Sequence, residues 1–291
     1  MLARHFGVFS AKVFKTVSPA TPYLPNWHMD AIAEYLMACE RREIRRLIIN
    51  IPPRYLKSLT VNVAWPAYLL GKNPATRIIS ASYAQSLATK HAIDTRLVMS
   101  APWYKEVFPA TLLSHDQNEK DKFVTTARGH RIAVSVGSAV TGEGGDFLIV
   151  DDPINPQQAL HAPTREAVKQ WFDHTFATRL DNKKTGVIVV VMQRLHAEDL
   201  SGYLLERGGF EHLCLPAMAE RDQRILIGNK RFIRSAGEVL HPEREDKAML
   251  EKMRSEMGAY GFMAQYQQNP VAESHSMLSL AWFKRFDLAE I

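Results

Sequence analysis

The chain has 291 residues, 46% of them hydrophobic and 23% charged. Against about 150 residues for a common domain, that length holds a substantial core and excludes a disordered, collagen-like or coiled-coil chain. The 36 Lys and Arg against 31 Asp and Glu leave a formal charge of +5, which permits work on a polyanion without demanding it. Two cysteines, Cys39 and Cys214, are too few for a disulfide scaffold or a cysteine-rich zinc cluster, so a cytoplasmic setting is expected. The opening MLARHFGVFSAKVF has a short apolar run broken by Lys12 and Lys15, and GVIVVVM is only of strand length. Neither a secreted nor a membrane-spanning chain is expected.

The first 26 residues are mixed, ending in SPATPYLPN, whose prolines predict an extended approach segment. Residues 27–42 have apolar spacing suited to a helix. LIINI then reads as a strand that stops at Pro52 and Pro53, followed by a helix over LKSLTVNVAWPAYLLG. RIISAS is a second strand and AQSLATKHAIDTRLVM a second helix, and this alternation predicts a mostly parallel sheet covered on both faces. FVTTA and RIAVSV read as paired strands around Gly129, followed by the glycine-rich SAVTGEGG. DFLIVDDP is a buried strand ending in two acids, PTREAVKQWFDHTFATRL a helix, and GVIVVVMQRLH the most apolar strand. A helix over residues 199–207 and the short strand HLCLPA follow. EREDKAMLEKMRSEMGAYGFMAQYQQNP reads as a charged helix leading into an aromatic, glutamine-rich segment. A main unit over residues 1–245 and a lid or linker over residues 246–291 are expected.

IINIPPRYLKSLT sets Lys57 and Ser58 just after a strand and at the start of a helix. A loop and helix N-terminus there present N–H groups to phosphate, a lysine reaches the β and γ phosphates, and a serine ligates Mg2+. The usual GxxxxGKS pattern is not met, because Ile51 and Leu56 stand at its two glycine positions. By itself the Lys-Ser pair also fits a plain helix start. LIVDDP adds Asp151 at a strand's carboxyl end, where a metal-associated carboxylate belongs, and Asp152 beside it to orient or deprotonate water.

Taken together, PPRYLKS, SLTVNVAWPAYLLG, SYAQSLA, GSAVTGEGGDFLIVDDP, WFDHTFATRL, VVVMQRLHAEDLSG and GFMAQYQQNP resemble, in order, the large terminase subunit of tailed bacteriophages and prophages. The resemblance runs from about Trp27 to about Pro270. It implies an α/β P-loop NTPase of the additional-strand, catalytic-glutamate class, with a mostly parallel central sheet flanked by helices. It further implies an ATP- and Mg2+-dependent motor that moves double-stranded DNA into a procapsid with a portal protein and a small terminase subunit. Such motors work as a ring homo-oligomer, a pentamer on the capsid, and the isolated module is compatible with a monomer. The family's nuclease is not expected here, since no set of separated acids follows before FDLAEI; a truncation and a split gene both fit.

The same resemblance assigns Arg54 and Lys57 to the phosphate loop with Tyr55, Leu56 and Leu59, Ser58 to the Mg2+ side, and Asp151 to the metal. Asp152 stands where relatives place the catalytic glutamate and is one methylene shorter. Leu56 puts a Cβ where glycine is usual. Trp27 and His28 match the adenine-side element, and Gln193 the motif that senses γ-phosphate. A ring motor also presents an arginine to its neighbour's nucleotide. Arg128, Arg131, Arg165, Arg179 and Arg194 are candidates, with Arg131 first. Thr141, Gly142, Gly144 and Gly145 suggest a loop that moves with nucleotide state, and Tyr260, Phe262, Gln265 and Tyr266 suggest docking of the lid.

The histidines show no zinc-ligand spacing. Basic clusters at residues 41–46, 128–131 and 183–184 suit sequence-independent phosphate contact. Two rival readings stay open beside the packaging motor: a helicase-like DNA-dependent ATPase, and a non-hydrolysing, nucleotide-responsive assembly module.

Overall fold

Along Val187–Met192, Val187, Val189 and Val191 pack into one hydrophobic cluster while Ile188, Val190 and Met192 pack into another. Successive side chains of a strand point to opposite faces, so a run this apolar must be covered on both sides. The computed structural model describes residues 1–140 and 142–270. In chain order the helices are α1 (Phe6–Val17), α2 (Trp27–Glu40), α3 (Trp65–Lys72), α4 (Gln85–Ser100), α5 (Pro102–Val107), α6 (Ala162–Trp171), α7 (Leu200–Arg207) and α8 (Lys247–Gln265). The strands are β1 (Arg46–Asn50), β2 (Arg77–Ser82), β3 (Leu113–Asn118), β4 (Lys122–Thr125), β5 (His130–Ser135), β6 (Phe147–Asp151), β7 (Val187–Met192), β8 (Glu211–Cys214), β9 (Gln223–Ile227) and β10 (Lys230–Arg234).

Among the described residues the main sheet has the order β3-β4-β5-β2-β6-β7-β1-β8. From β5 to β8 every neighbouring pair is parallel, and β3 and β4 join antiparallel at one edge. The mostly parallel α/β sheet expected from the sequence is therefore present. β7 lies between β1, which leads to Lys57 and Ser58, and β6, which ends in Asp151. Ile51 continues β1 into the one cluster with residues of α1 to α5, while Val168, Trp171, Leu200 and Leu204 of α6 and α7 fill the other.

Several elements go beyond the sequence expectation. The mixed N-terminal segment contains α1, whose Phe6, Phe9, Val13 and Phe14 are buried at helical spacing. Phe9 meets Tyr68, Trp103, Tyr104 and Phe108 at centroid distances of 5.3 to 6.2 Å. β3 adds an edge strand, and β9 and β10 form a hairpin across Gly228 and Asn229, with Gly228 at φ 54° as a tight two-residue turn requires. Of the expected mobile loop, Thr141 lies outside the described residues, as do residues 271–291 of the expected linker.

No helix among the described residues is long and apolar enough to cross a membrane.

Candidate functional site

β1 ends where Asn50 is pinned. Its amide donates to Met192 O at 3.1 Å and Ser201 Oγ at 3.0 Å, and its Oδ1 meets His212 Nε2 at 2.8 Å. Pro52 and Pro53 lack the N–H needed to extend the ladder, so the chain leaves the sheet there. Arg54 and Leu56 then take φ of 69° and 62°. Left-handed and right-handed residues in alternation turn successive N–H groups toward one concavity, the backbone form of an anion site. Leu56 adopts the conformation glycine usually supplies, at a strain of about 1 kcal/mol. Tyr55 is buried and its hydroxyl donates to Glu245 Oε2 at 2.8 Å, fastening the loop to the segment before α8.

Beyond the loop, Ser58 Oγ donates to Asp151 Oδ1 at 3.0 Å. Lys57 Nζ lies 2.6 Å from Asp152 Oδ2. The loop after β1 and the acids at the end of β6 thus meet at the carboxyl edge of the sheet, where open α/β sheets place their ligands. Burial pushes both carboxyls up, against the pull of Lys57. Burial also works to lower Lys57, but the two acids outweigh it and its pKa is raised. Lys57 is therefore held as a cation between two carboxylates. Asp152 takes φ 45°, and its Oδ1 accepts the Gln193 N–H at 3.3 Å.

A cleft of about 620 Å3 lies beside these groups, and its lining includes Arg54, Leu56, Lys57, Ser58, Asp152 and Gln193 together with Thr21, Leu24, His28, Met29 and His241. Tyr55 and Leu59 line it as well. The His28 ring is fully buried, 5.6 Å from His241 and 5.7 Å from Tyr55. Neither ring nitrogen has a well-formed hydrogen-bond partner, although the Tyr55 backbone is near enough to favour protonation slightly. Ser58 Oγ and Asp151 Oδ1 are hard oxygens at metal-bridging separation, which fits Mg2+ completed by phosphate oxygens and water.

No family model matches the chain, and no curated protein matches it. Solved structures do. The large terminase of bacteriophage HK97 aligns with a TM-score of 0.58 at 14% identity, over 91% of this chain and 54% of that one. The ATPase domain of the Thermus phage P74-26 large terminase aligns with a TM-score of 0.55 at 14% identity, over 89% of this chain and 97% of that one. This chain has the fold of a large-terminase ATPase domain. It spans about half the length of the HK97 terminase.

Other expected site residues fall elsewhere in this terminase-like fold. Trp27 packs on Phe232 of β10 at 5.9 Å and does not line the cleft. Arg131, the first choice for presentation to a neighbour, is wholly buried on β5 and its Nη2 donates to Asn62 Oδ1 at 3.0 Å. A guanidinium enclosed in its own subunit cannot reach another, so that expectation is corrected. Arg165 and Arg194 are likewise buried, on Glu198 and Asp199. Arg128 is exposed on the turn before β5, at the opposite end of the sheet from the phosphate loop, and Arg179 is partly exposed. Two basic clusters converge at that opposite end: Arg45 donates to Lys184 O and Arg46 to Gly186 O.

Sequence reasoning missed Asn62 and His91, which surround Asp151, and the Tyr55–Glu245 bond. The asparagine lies in a wide π-type turn over Leu59–Ala64 at the head of α3, closed by Trp65 N–H to Thr60 O. Such turns favour functional sites, but nothing in LTVNVA announces one.

Proposed function

We propose that this chain is an ATPase of the additional-strand P-loop class that drives double-stranded DNA into a procapsid. The observation that carries this reading is the paired contact at the sheet's carboxyl edge, Ser58 to Asp151 at 3.0 Å and Lys57 to Asp152 at 2.6 Å. β7 between the two strands and the terminase-like fold support the class. Ser58 and Asp151 would hold Mg2+ together with the nucleotide, and the ion would supply neutralisation of charge on the transferred phosphoryl group.

The residues then divide the work. The loop N–H groups, Lys57 and the exposed fork of Arg54 bind phosphate. Asp152 orients the attacking water and accepts its proton. When Lys57 moves to the phosphates, the charge that opposes the upward shift of Asp152 withdraws, and Asp152 becomes the stronger base. Gln193, tied to Asp152 through its backbone, reports that change to β7. His28 receives the base. DNA, a portal protein, a small terminase subunit and further copies in a ring are the proposed partners, and the trans-acting arginine is sought at Arg128 and Arg179.

The test is phosphate release with Mg2+-ATP, with and without double-stranded DNA, for the native chain and for Lys57→Ala and Asp151→Ala, with nucleotide binding measured on the same samples. Turnover lost in both variants supports the site. Binding without turnover in the native chain favours the nucleotide-responsive module, and absence of binding sinks the assignment. Strand separation without portal favours the helicase-like reading.

A further inference from the structure

Asp151 has two carboxylate oxygens with different neighbours. Oδ1 faces the phosphate loop and takes the Ser58 hydroxyl. Oδ2 faces inward, where Asn62 Nδ2 donates to it at 3.2 Å. The same Nδ2 meets His91 Nδ1 at 3.0 Å, and Asn62 Oδ1 and backbone O accept from Arg131 Nη2 at 3.0 and 3.1 Å. Asn62 and Arg131 are wholly buried and His91 nearly so.

The chemistry of these groups fixes their orientation. A guanidinium only donates, so the Asn62 atom facing Arg131 is the carbonyl oxygen. With the carbonyl oxygen committed to Arg131, the atom facing Asp151 is the amide nitrogen, a donor. Its two N–H bonds serve Asp151 and His91, which leaves His91 Nδ1 as an acceptor and puts that ring's proton on Nε2. Every polar atom of the Asn62 side chain is used. The wide turn at Leu59–Ala64 is what lets this come from the helix bearing Lys57 and Ser58: its i→i+5 closure carries Asn62 into the interior.

We propose that Asn62 is a positioning residue that sets the rotation of the Asp151 carboxylate, with Arg131 anchoring Asn62 from β5, so that Oδ1 is presented to Mg2+ beside Ser58. The inference rests on the metal role given to Ser58 and Asp151 above. Partners behind a metal ligand typically change metal affinity by about 10–100-fold when removed. Asn62 is wholly buried and does not line the cleft.

The experiment measures ATP affinity in excess EDTA and in Mg2+ for the native chain, Ser58→Ala, Asn62→Leu and Asn62→Asp. Asn62→Leu keeps the shape and removes every polar contact of the side chain. Asn62→Asp keeps the acceptor for Arg131 and replaces the amide donor that Asp151 and His91 share, so Arg131 keeps its partner if the leucine variant fails to fold. The expected result is an unchanged affinity in EDTA and a loss of about tenfold or more in the affinity gained from Mg2+. A merely structural role would lower both affinities together, and that result, or an unchanged Mg2+ gain, overturns the proposal. Ser58→Ala separates the two levels. If it too leaves the Mg2+ gain untouched, the metal site reading has failed; if it abolishes the gain while both Asn62 variants keep it, only the positioning role has.

Discussion

Lys57 Nζ and Asp152 Oδ2 lie 2.6 Å apart, so the cation assigned to the phosphates and the acid assigned to the water are each other's partners. Nucleotide must compete with Asp152 for Lys57. Asp152→Asn removes that competitor and the proton acceptor at once. The expected outcome is ATP binding at least as tight as in the native chain, with phosphate release reduced by about 100-fold or more. Equilibrium binding and single-turnover hydrolysis on the same protein check both halves.

His28 supplies a pH dependence. Burial, reinforced by His241, pushes its pKa down to about 3 from the ordinary 6.5. A depressed pKa means that the neutral ring supports the fold fully above pH 6.5 and that this support is lost as pH falls toward 3. At pH 4.5 the loss from this one group is about 3 kcal/mol. His28→Phe keeps an aromatic ring and cannot titrate, so its denaturant midpoint is expected to fall less than that of the native chain between pH 7.5 and 4.5. Equal slopes for the two proteins would contradict the assignment.

Much of this was legible in the sequence because it depends on local pattern. Alternating apolar strands and helices announce a covered parallel sheet, and Lys57, Ser58, Asp151 and Asp152 sit at strand ends that the topology must bring together. The Asn62 contacts depend on where a helix opens by one residue and on the register that sets Arg131 opposite Ile78. Neither is written in LTVNVA or RIAVSV. The α1 pattern was legible, with Phe6, Phe9, Val13 and Phe14 at helical spacing, as was the Gly228-Asn229 turn between alternating strands. Those signals are short and easily outweighed by the charges among them. Arg131 illustrates the opposite limit: an arginine at a strand position reads as surface charge until the partner that buries it is known.

Asp199 carries a concentrated load. It caps α7 through Gly202 N–H at 2.8 Å, accepts from Leu195 N–H at 3.0 Å, and pairs with Arg194 Nε at 2.9 Å, all in the interior. Asp199→Ala strands a buried guanidinium and uncaps the helix. The expected destabilisation is about 3–5 kcal/mol, read as a drop in urea midpoint at constant slope.

Gln268 Oε1 accepts the Arg194 N–H at 2.9 Å, and Gln267 exchanges two bonds with the Met218 backbone, its Oε1 accepting and its Nε2 donating at 3.0 Å each. Gln268→Ala leaves the buried Arg194 N–H without its acceptor, an expected loss of about 1–3 kcal/mol. Hydrogen exchange at Arg194 is expected to quicken in this variant, with the exchange of β1 amides unchanged.

Gln193 and Arg194 are consecutive, and their N–H groups are spoken for by two distant masters. One belongs to Asp152; the other to Gln268, near the end of the described chain. The two donors sit on adjacent peptide planes joined at the Gln193 Cα, so a turn of one reaches the other except where φ and ψ of Gln193 absorb it. Movement of Asp152 would be felt at the join between the candidate site and the polypeptide leading away from it. The site therefore has an output shaft as well as a chamber, and its first bearing is a single glutamine amide.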